Sequence, residues 1–124
     1  MCPSGFSMLS WKEVLAEHKT LRGIGKDSLL VDRGESGYKN RFLPDGSILY
    51  PGEGLWGNQQ PRGGNRILLD ALEQRKPMRL YLREGANRWV RLGLYRVTSV
   101  DYRWEEEEKR YVYWFRLVPL KAAT

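Results

Sequence analysis

Cysteine and histidine are nearly absent from this chain. Cys2 is the sole cysteine and His18 the sole histidine. A single chain therefore cannot build a disulfide, a cysteine-based zinc site, or a metal site from several histidines. Long apolar runs are missing too. Nothing reaches the length of a membrane-spanning helix, and no secretory apolar core is found near the start. These absences predict a protein with no metal, no cofactor and no membrane attachment, placed in the reducing cytoplasm. The familiar nucleotide signatures are also lacking. There is no GxxxxGK[ST] phosphate loop, and Gly52-Glu53-Gly54 lacks the third glycine of a dinucleotide fingerprint. A Ser-His-Asp triad would need His18 to reach out from the first predicted helix, and no nucleophile elbow is there to meet it. The surviving catalytic option is a carboxylate pair such as Asp45 and Glu53, which bracket a turn and a strand. With 15 acidic residues such pairs arise by chance. A small carboxylate-based enzyme stays as an alternative, and no catalytic residue is assigned.

What the chain does have is arginine, large rings and glycine. Lys plus Arg number 21 against 15 acidic residues, and 14 of the 21 are arginine. A net charge of +6 favours approach to a polyanion. The acidic run Glu105 to Glu108 cuts against a uniformly basic surface and should point away from any phosphates. Five tryptophans and seven tyrosines suit a core, a binding pocket, or both.

Residues 9–120 read as one domain between a flexible N-terminal tail, 1–8, and a short C-terminal tail, 121–124. Ser10 with Glu13 is a capping-box pattern, and Leu9 with Val14 fits a hydrophobic staple. Trp11, Val14, Leu15 and His18 then share one helical face, with Gly23 as the predicted stop. A short strand is predicted at 29–31 and a polar loop at 33–40. Pro44-Asp45-Gly46 marks a turn before a strand at 47–50. Asn65 is placed to cap a helix over about 66–75, with Ile67, Leu68, Ala71 and Leu72 on its apolar side and Pro77 as its stop. Strands follow at 78–83, 88–91 and 92–104. A polar tip at 105–109 leads to a strongly β-forming strand at 111–118, and the tail from Pro119 is expected to be marginally ordered. Short strands with frequent turns favour a curved sheet or a small barrel.

Between the two halves lies YPGEGLWGNQQPRGGN, residues 50–65, with five glycines and two prolines. A loop this long in a small domain needs a reason, often a binding role. Several pieces of sequence around it occur in a telling order. Tyr50-Pro51-Gly52-Glu53-Gly54 is an aromatic followed by a small residue and glycines. Asn65-Arg66-Ile67-Leu68-Leu69 is an Asn-Arg pair opening an apolar helix. Lys76-Pro77-Met78-Arg79-Leu80 and Leu92-Gly93-Leu94-Tyr95-Arg96-Val97 follow, and Tyr113-Trp114-Phe115-Arg116-Leu117 closes the set. In this order they resemble the SRA/YDG-like (SET and RING associated) domains. The short bacterial form found fused to HNH nucleases of modification-dependent restriction systems is the nearest in character.

That resemblance implies an α+β fold, a PUA-like/SRA-like curved sheet or small β-barrel with two flanking helices. It implies binding of duplex DNA that carries a modified base, 5-modified cytosine in this family, by flipping the base into a pocket without catalysis. The family's stacking aromatic falls on Tyr50, with Gly52 and Gly54 beside it in the base pocket. The family's pocket aspartate falls on Asn58. An amide can accept from a cytosine amino group but carries no charge, and it can also donate. The spacing of a second stacking ring points to Arg62, so Trp56, the nearest ring, is nominated instead. Arg62, Arg66, Lys39 and Arg41 are the expected phosphate contacts, which supply salt-dependent affinity without base selectivity. A separately encoded nuclease is a possible partner. The alternatives are an RNA-binding PUA-like module, whose rings would stack unpaired bases, and a protein-interaction subunit.

Overall fold

The structure, a computed structural model, describes residues 8–33 and 40–120. The body of the loop predicted at 33–40, Lys39, Cys2 and most of both expected tails lie outside the described residues.

The first helix, α1 (Trp11–His18), begins where the sequence predicts. Ser10 Oγ accepts from the Glu13 amide, and the Glu13 carboxylate accepts from the Ser10 amide at 2.9 Å. Both arms of the capping box are thus made, satisfying donors that the first turn would otherwise leave orphaned. The helix stops earlier than Gly23. Lys19 adopts the left-handed conformation at φ 66° and donates its amide to Leu15 O, closing the last turn without a glycine.

Next come β1 (Ser28–Val31), β2 (Arg41–Phe42) and β3 (Ile48–Pro51), then α2 (Gly64–Gln74), β4 (Pro77–Gly85), β5 (Arg88–Glu105) and β6 (Arg110–Pro119). The six strands form one sheet in the order β1-β4-β5-β6-β3-β2. All neighbours are antiparallel except β1 and β4, which run parallel. Of the two predicted architectures, the open curved sheet is the one formed. Pro77 is the first residue of β4, a position where its missing amide costs nothing in the ladder.

The strands predicted separately at 88–91 and 92–104 are one strand of 18 residues. The break read from the sequence is a bulge. Leu80 pairs with Gly93 while Tyr81 pairs with Arg91, leaving Leu92 unpaired, and Gly93 sits at φ 99°. A second irregularity falls between Val97 and Ser99. Bulges of this kind sharpen the local bend of a sheet. Pro119 and Leu120 are better anchored than predicted, since Leu120 N donates to Leu94 O at 2.9 Å.

Alternation along the strands sends side chains to two cores. Leu29, Val31, Met78, Leu80, Leu82, Val97, Phe115 and Leu117 pack with Leu68 and Ala71 of α2 on one face. Tyr81 and Trp89, between those positions, pack with Leu9 and Val14 on the other face, under α1. A buried side chain of this size contributes about 1.5–3 kcal/mol. Polar ties then lock α1 down. Glu17 accepts from Tyr81 Oη at 2.8 Å and pairs with Arg91. Burial, followed by the bond to Glu17, pushes the Tyr81 hydroxyl up to about 12.

Candidate nucleic-acid interface

The sheet does not close. β1 and β3 are separated by three strands in the sheet order. The sheet nevertheless curls so far that Tyr50 Oη on β3 donates to Leu30 O on β1 at 3.0 Å. Between β1 and the end of β3, past its pairing with the edge strand β2, lies a cleft of about 1180 Å³. One wall holds Leu30, Val31, Asp32 and Asn40, and the other runs from Tyr50 through Gly54. The cleft is thus the seam of an unclosed barrel, crossed by side chains where a ladder would otherwise run.

The loop between β3 and α2 forms the rim, and its buried amides hold it in place. Gln59 is 3% exposed. Its Nε2 donates to Gly52 O at 2.8 Å, and its Oε1 accepts from Tyr113 N at 2.9 Å. Asn65, predicted as a helix cap, is instead the second residue of α2 and points inward. Its Oδ1 accepts from Glu53 N at 2.8 Å, and its Nδ2 donates to Glu53 O and Gln60 O. The N-cap itself is Gly63, which has no side chain to give. Glu53 supplies the acceptor from across the loop, taking the Gly64 amide at 2.9 Å while pairing with Arg22. A carboxylate suits that end of a helix electrostatically.

The residues nominated from sequence land as follows. Tyr50 is buried in the main core and also lines the cleft. Gly52 is required by close approach: a Cβ there would stand 2.6 Å from Asn65 Oδ1 and 3.0 Å from Tyr113 Cβ. Gly54 lies at φ 118°. Asn58 lines the cleft, but its Oδ1 already accepts from Tyr111 N at 2.8 Å. Trp56 is 90% exposed on the rim. Arg62 lines the same cleft, and Arg66, on the first turn of α2, pairs with Asp70 at 3.6 Å. Arg41 does not join them. It stacks over Trp114 at 5.6 Å and lines a smaller hollow, about 330 Å³, whose walls include Leu55 and Gln59 of the same loop.

Two cleft residues escaped the sequence reading. Asp32 is only 7% exposed, a carboxylate in the cleft wall. Asn40 accepts the Asp32 amide through Oδ1, while its buried Nδ2 has no hydrogen-bond partner among the described residues. An unmatched buried donor costs roughly 1–3 kcal/mol, which a ligand acceptor would recover. The local signal was slight: a lone Asp ending an apolar strand. The carboxylate pair considered for catalysis is otherwise employed. Asp45 accepts from Ser47 and pairs with Arg116, and Glu53 holds Gly64 and Arg22. Among the described residues no helix is long and apolar enough to cross a membrane.

Comparison with known proteins gives a consistent picture. The family model described as "ScoMcrA-like, SRA domain" matches residues 19–124. No curated protein matches the chain. Among solved structures, the SUVH5 SRA domain in complex with fully methylated CG DNA superposes with a TM-score of 0.79 at 22% identity, over 97% of this chain and 90% of that one. The same domain bound to fully hydroxymethylated CG DNA matches with a TM-score of 0.79 at 21% identity, over the same shares of the two chains. The modification-dependent restriction endonuclease TagI matches with a TM-score of 0.79 and 22% identity, over 97% of this chain and 50% of its own.

Proposed function

The chain belongs to the ScoMcrA-like SRA domain family, and from that premise we propose that it binds duplex DNA carrying a modified base, extruding the base into the cleft between β1 and β3. The observation that carries this reading is the cleft itself, which is walled by the Tyr50 ring and holds Asp32 and Asn40. The SUVH5 SRA domain has the same fold and is seen with methylated and hydroxymethylated DNA.

Extrusion costs a few kcal/mol of lost stacking and pairing, which the cleft and the phosphate contacts must offset. Tyr50 offers a ring face to the base, since its hydroxyl is committed to Leu30. A cytosine edge presents an amino donor beside two acceptors. Asp32 matches the donor, and the Asn40 amide, whose Nδ2 has no partner among the described residues, matches an acceptor. Asn58, with its oxygen bound to Tyr111, contributes through Nδ2. Gly52 and Gly54 let the loop run close along the base, and Trp56 presents an exposed ring at the mouth. Arg62 and Arg66 contact phosphates, with Arg41 farther out, and Lys39 is proposed as a further phosphate contact from the sequence alone. The proposed role has no bond-breaking step. This fold covers half of the restriction endonuclease TagI; cleavage, where it accompanies base reading by this chain, belongs to a nuclease outside these residues, for which a separately encoded partner is one source.

A binding panel of short duplexes with unmodified, 5-methyl, 5-hydroxymethyl and glucosylated cytosine tests the reading. At least about tenfold preference for one modified duplex is expected, equivalent to about 1.4 kcal/mol. Equal affinity across the panel would remove the modified-base claim, and tighter binding to structured RNA than to every duplex would replace DNA with RNA.

A further inference from the structure

The glycine loop is a partition with the base cleft on one side and the smaller hollow on the other. Gly52, Leu55 and Gln59 line both. Its apex is apolar and projecting: Leu55 and Trp56 are both exposed. Glycines with positive φ flank the apex, Gly54 at 118° and Gly57 at 65°. An added Cβ at Gly57 would meet nothing within 4 Å, so glycine there serves backbone conformation and no packing need.

One arginine gathers the carbonyls on either side of this apex. Arg110, at the start of β6, is 9% exposed. Its Nη1 donates to Gly54 O at 2.7 Å and Gly57 O at 3.3 Å. Its Nε and Nη2 both lie 2.7 Å from Glu108 Oε1. All three guanidinium nitrogens are therefore engaged within the protein, on the hollow side of the loop. Glu108 belongs to the acidic run whose place in a basic protein was otherwise unexplained.

We infer that Arg110 is a positioning residue for base reading, with Glu108 as its aligning counter-charge. It presets the loop from Gly54 to Gly57 so that Trp56 stands at the mouth of the cleft before DNA arrives. Holding the apex in place beforehand removes an ordering cost from the binding step. A cation near a nucleic-acid site is ordinarily read as a phosphate contact, but here its donors are spent on loop carbonyls and on Glu108. This inference deepens the proposed function and rests on it for its binding consequences.

The test uses the full chain and compares wild type with Arg110→Gln, Arg110→Lys and Glu108→Gln. Hydrogen exchange at the Gly52 and Gln59 amides, which anchor the two ends of the loop on Tyr113 O and Tyr111 O, is measured without DNA. Titration with a 5-methylcytosine duplex at several salt concentrations follows. Arg110→Gln should raise exchange in the loop by about tenfold while the amides paired between β5 and β6 stay protected. Affinity should fall by about tenfold, with the slope of log Kd against log salt unchanged because no phosphate contact is lost. Arg110→Lys keeps the charge but not the fork, and should show the same two changes in milder form. Glu108→Gln should fall between wild type and Arg110→Gln. A slope reduced by about one unit with loop exchange unaltered would make Arg110 a phosphate contact and overturn the inference. Exchange rising equally in loop and hairpin would make it a general structural residue and overturn it too. Wild type that shows no preference for the methylated duplex would defeat the proposed function, while the exchange result would still decide whether Arg110 sets the loop.

Discussion

The β5–β6 hairpin and the glycine loop lie side by side, and each carries an exposed tryptophan, but they are held by different means. Along the hairpin, ladder pairing runs from Tyr95↔Pro119 to Glu105↔Arg110. Trp104 is 45% exposed and leans on Tyr111 with ring centroids 5.3 Å apart. The loop has main-chain bonds to the hairpin at Gly52 and Gln59. Otherwise side chains secure it: Asn58, Gln59, Arg110 and the Tyr102 hydroxyl, which donates to Gln59 O at 3.0 Å. A ladder shares its load over many equivalent bonds. The loop concentrates it on a few groups, so one substitution can change the loop's shape without unfolding the sheet.

The largest effect should come from Gln59→Leu, which keeps the volume but leaves Tyr113 N and Gly52 O unmatched in a buried place. A loss of about 3 kcal/mol is expected in urea unfolding. A cost below about 1 kcal/mol would show that the loop does not depend on its side chains in this way. Trp56→Ala should leave the melting temperature where it is, because the ring buries almost nothing. Its effect belongs to binding, about a tenfold loss for the modified duplex if the ring stacks on a base.

A smaller effect separates the loop from the α1 region. His18 is buried, and burial pushes its pKa below the ordinary histidine value of 6.5, while the bond to Arg22 O works the other way. Ser28 Oγ lies 2.6 Å from its other ring nitrogen. Below pH 6.5 the unfolded chain takes up a proton that the folded chain resists, so stability should decline as the pH falls from there. His18→Gln should flatten that part of a melting-temperature profile, and an unchanged profile would place the titration elsewhere. The smallest effect is reserved for the hairpin: Trp104→Ala removes one exposed cross-strand pair and should cost about 0.5 kcal/mol or less.

The sequence revealed the parts of this molecule that follow local rules. Ser10 and Glu13 announce α1 because both halves of a capping box lie three residues apart. The glycines and prolines of residues 50–65 announce a loop because backbone chemistry is local. The ordered motifs were enough to suggest the family, and the family match bears that out. What stayed hidden depends on distant partners. Asn65 reads as a cap until Glu53, twelve residues earlier, is seen to take that role. Gln59 looks like any loop amide until Tyr113 N is found against it. Arg88 to Trp104 reads as two strands because a bulge at Gly93 imitates a break. The seam arises only when Tyr50 meets Leu30 across three intervening strands, and no spacing along the chain encodes that meeting.

The central claim is that a modified base leaves the duplex and enters the seam between β1 and β3. Its most direct measurement places 2-aminopurine beside a single 5-methylcytosine and follows its fluorescence as the protein is added. Extrusion of the neighbouring base unstacks the probe, so emission should rise several-fold with the methylated duplex and stay nearly flat with the unmodified one. Saturated binding of the methylated duplex with no rise in emission would contradict it.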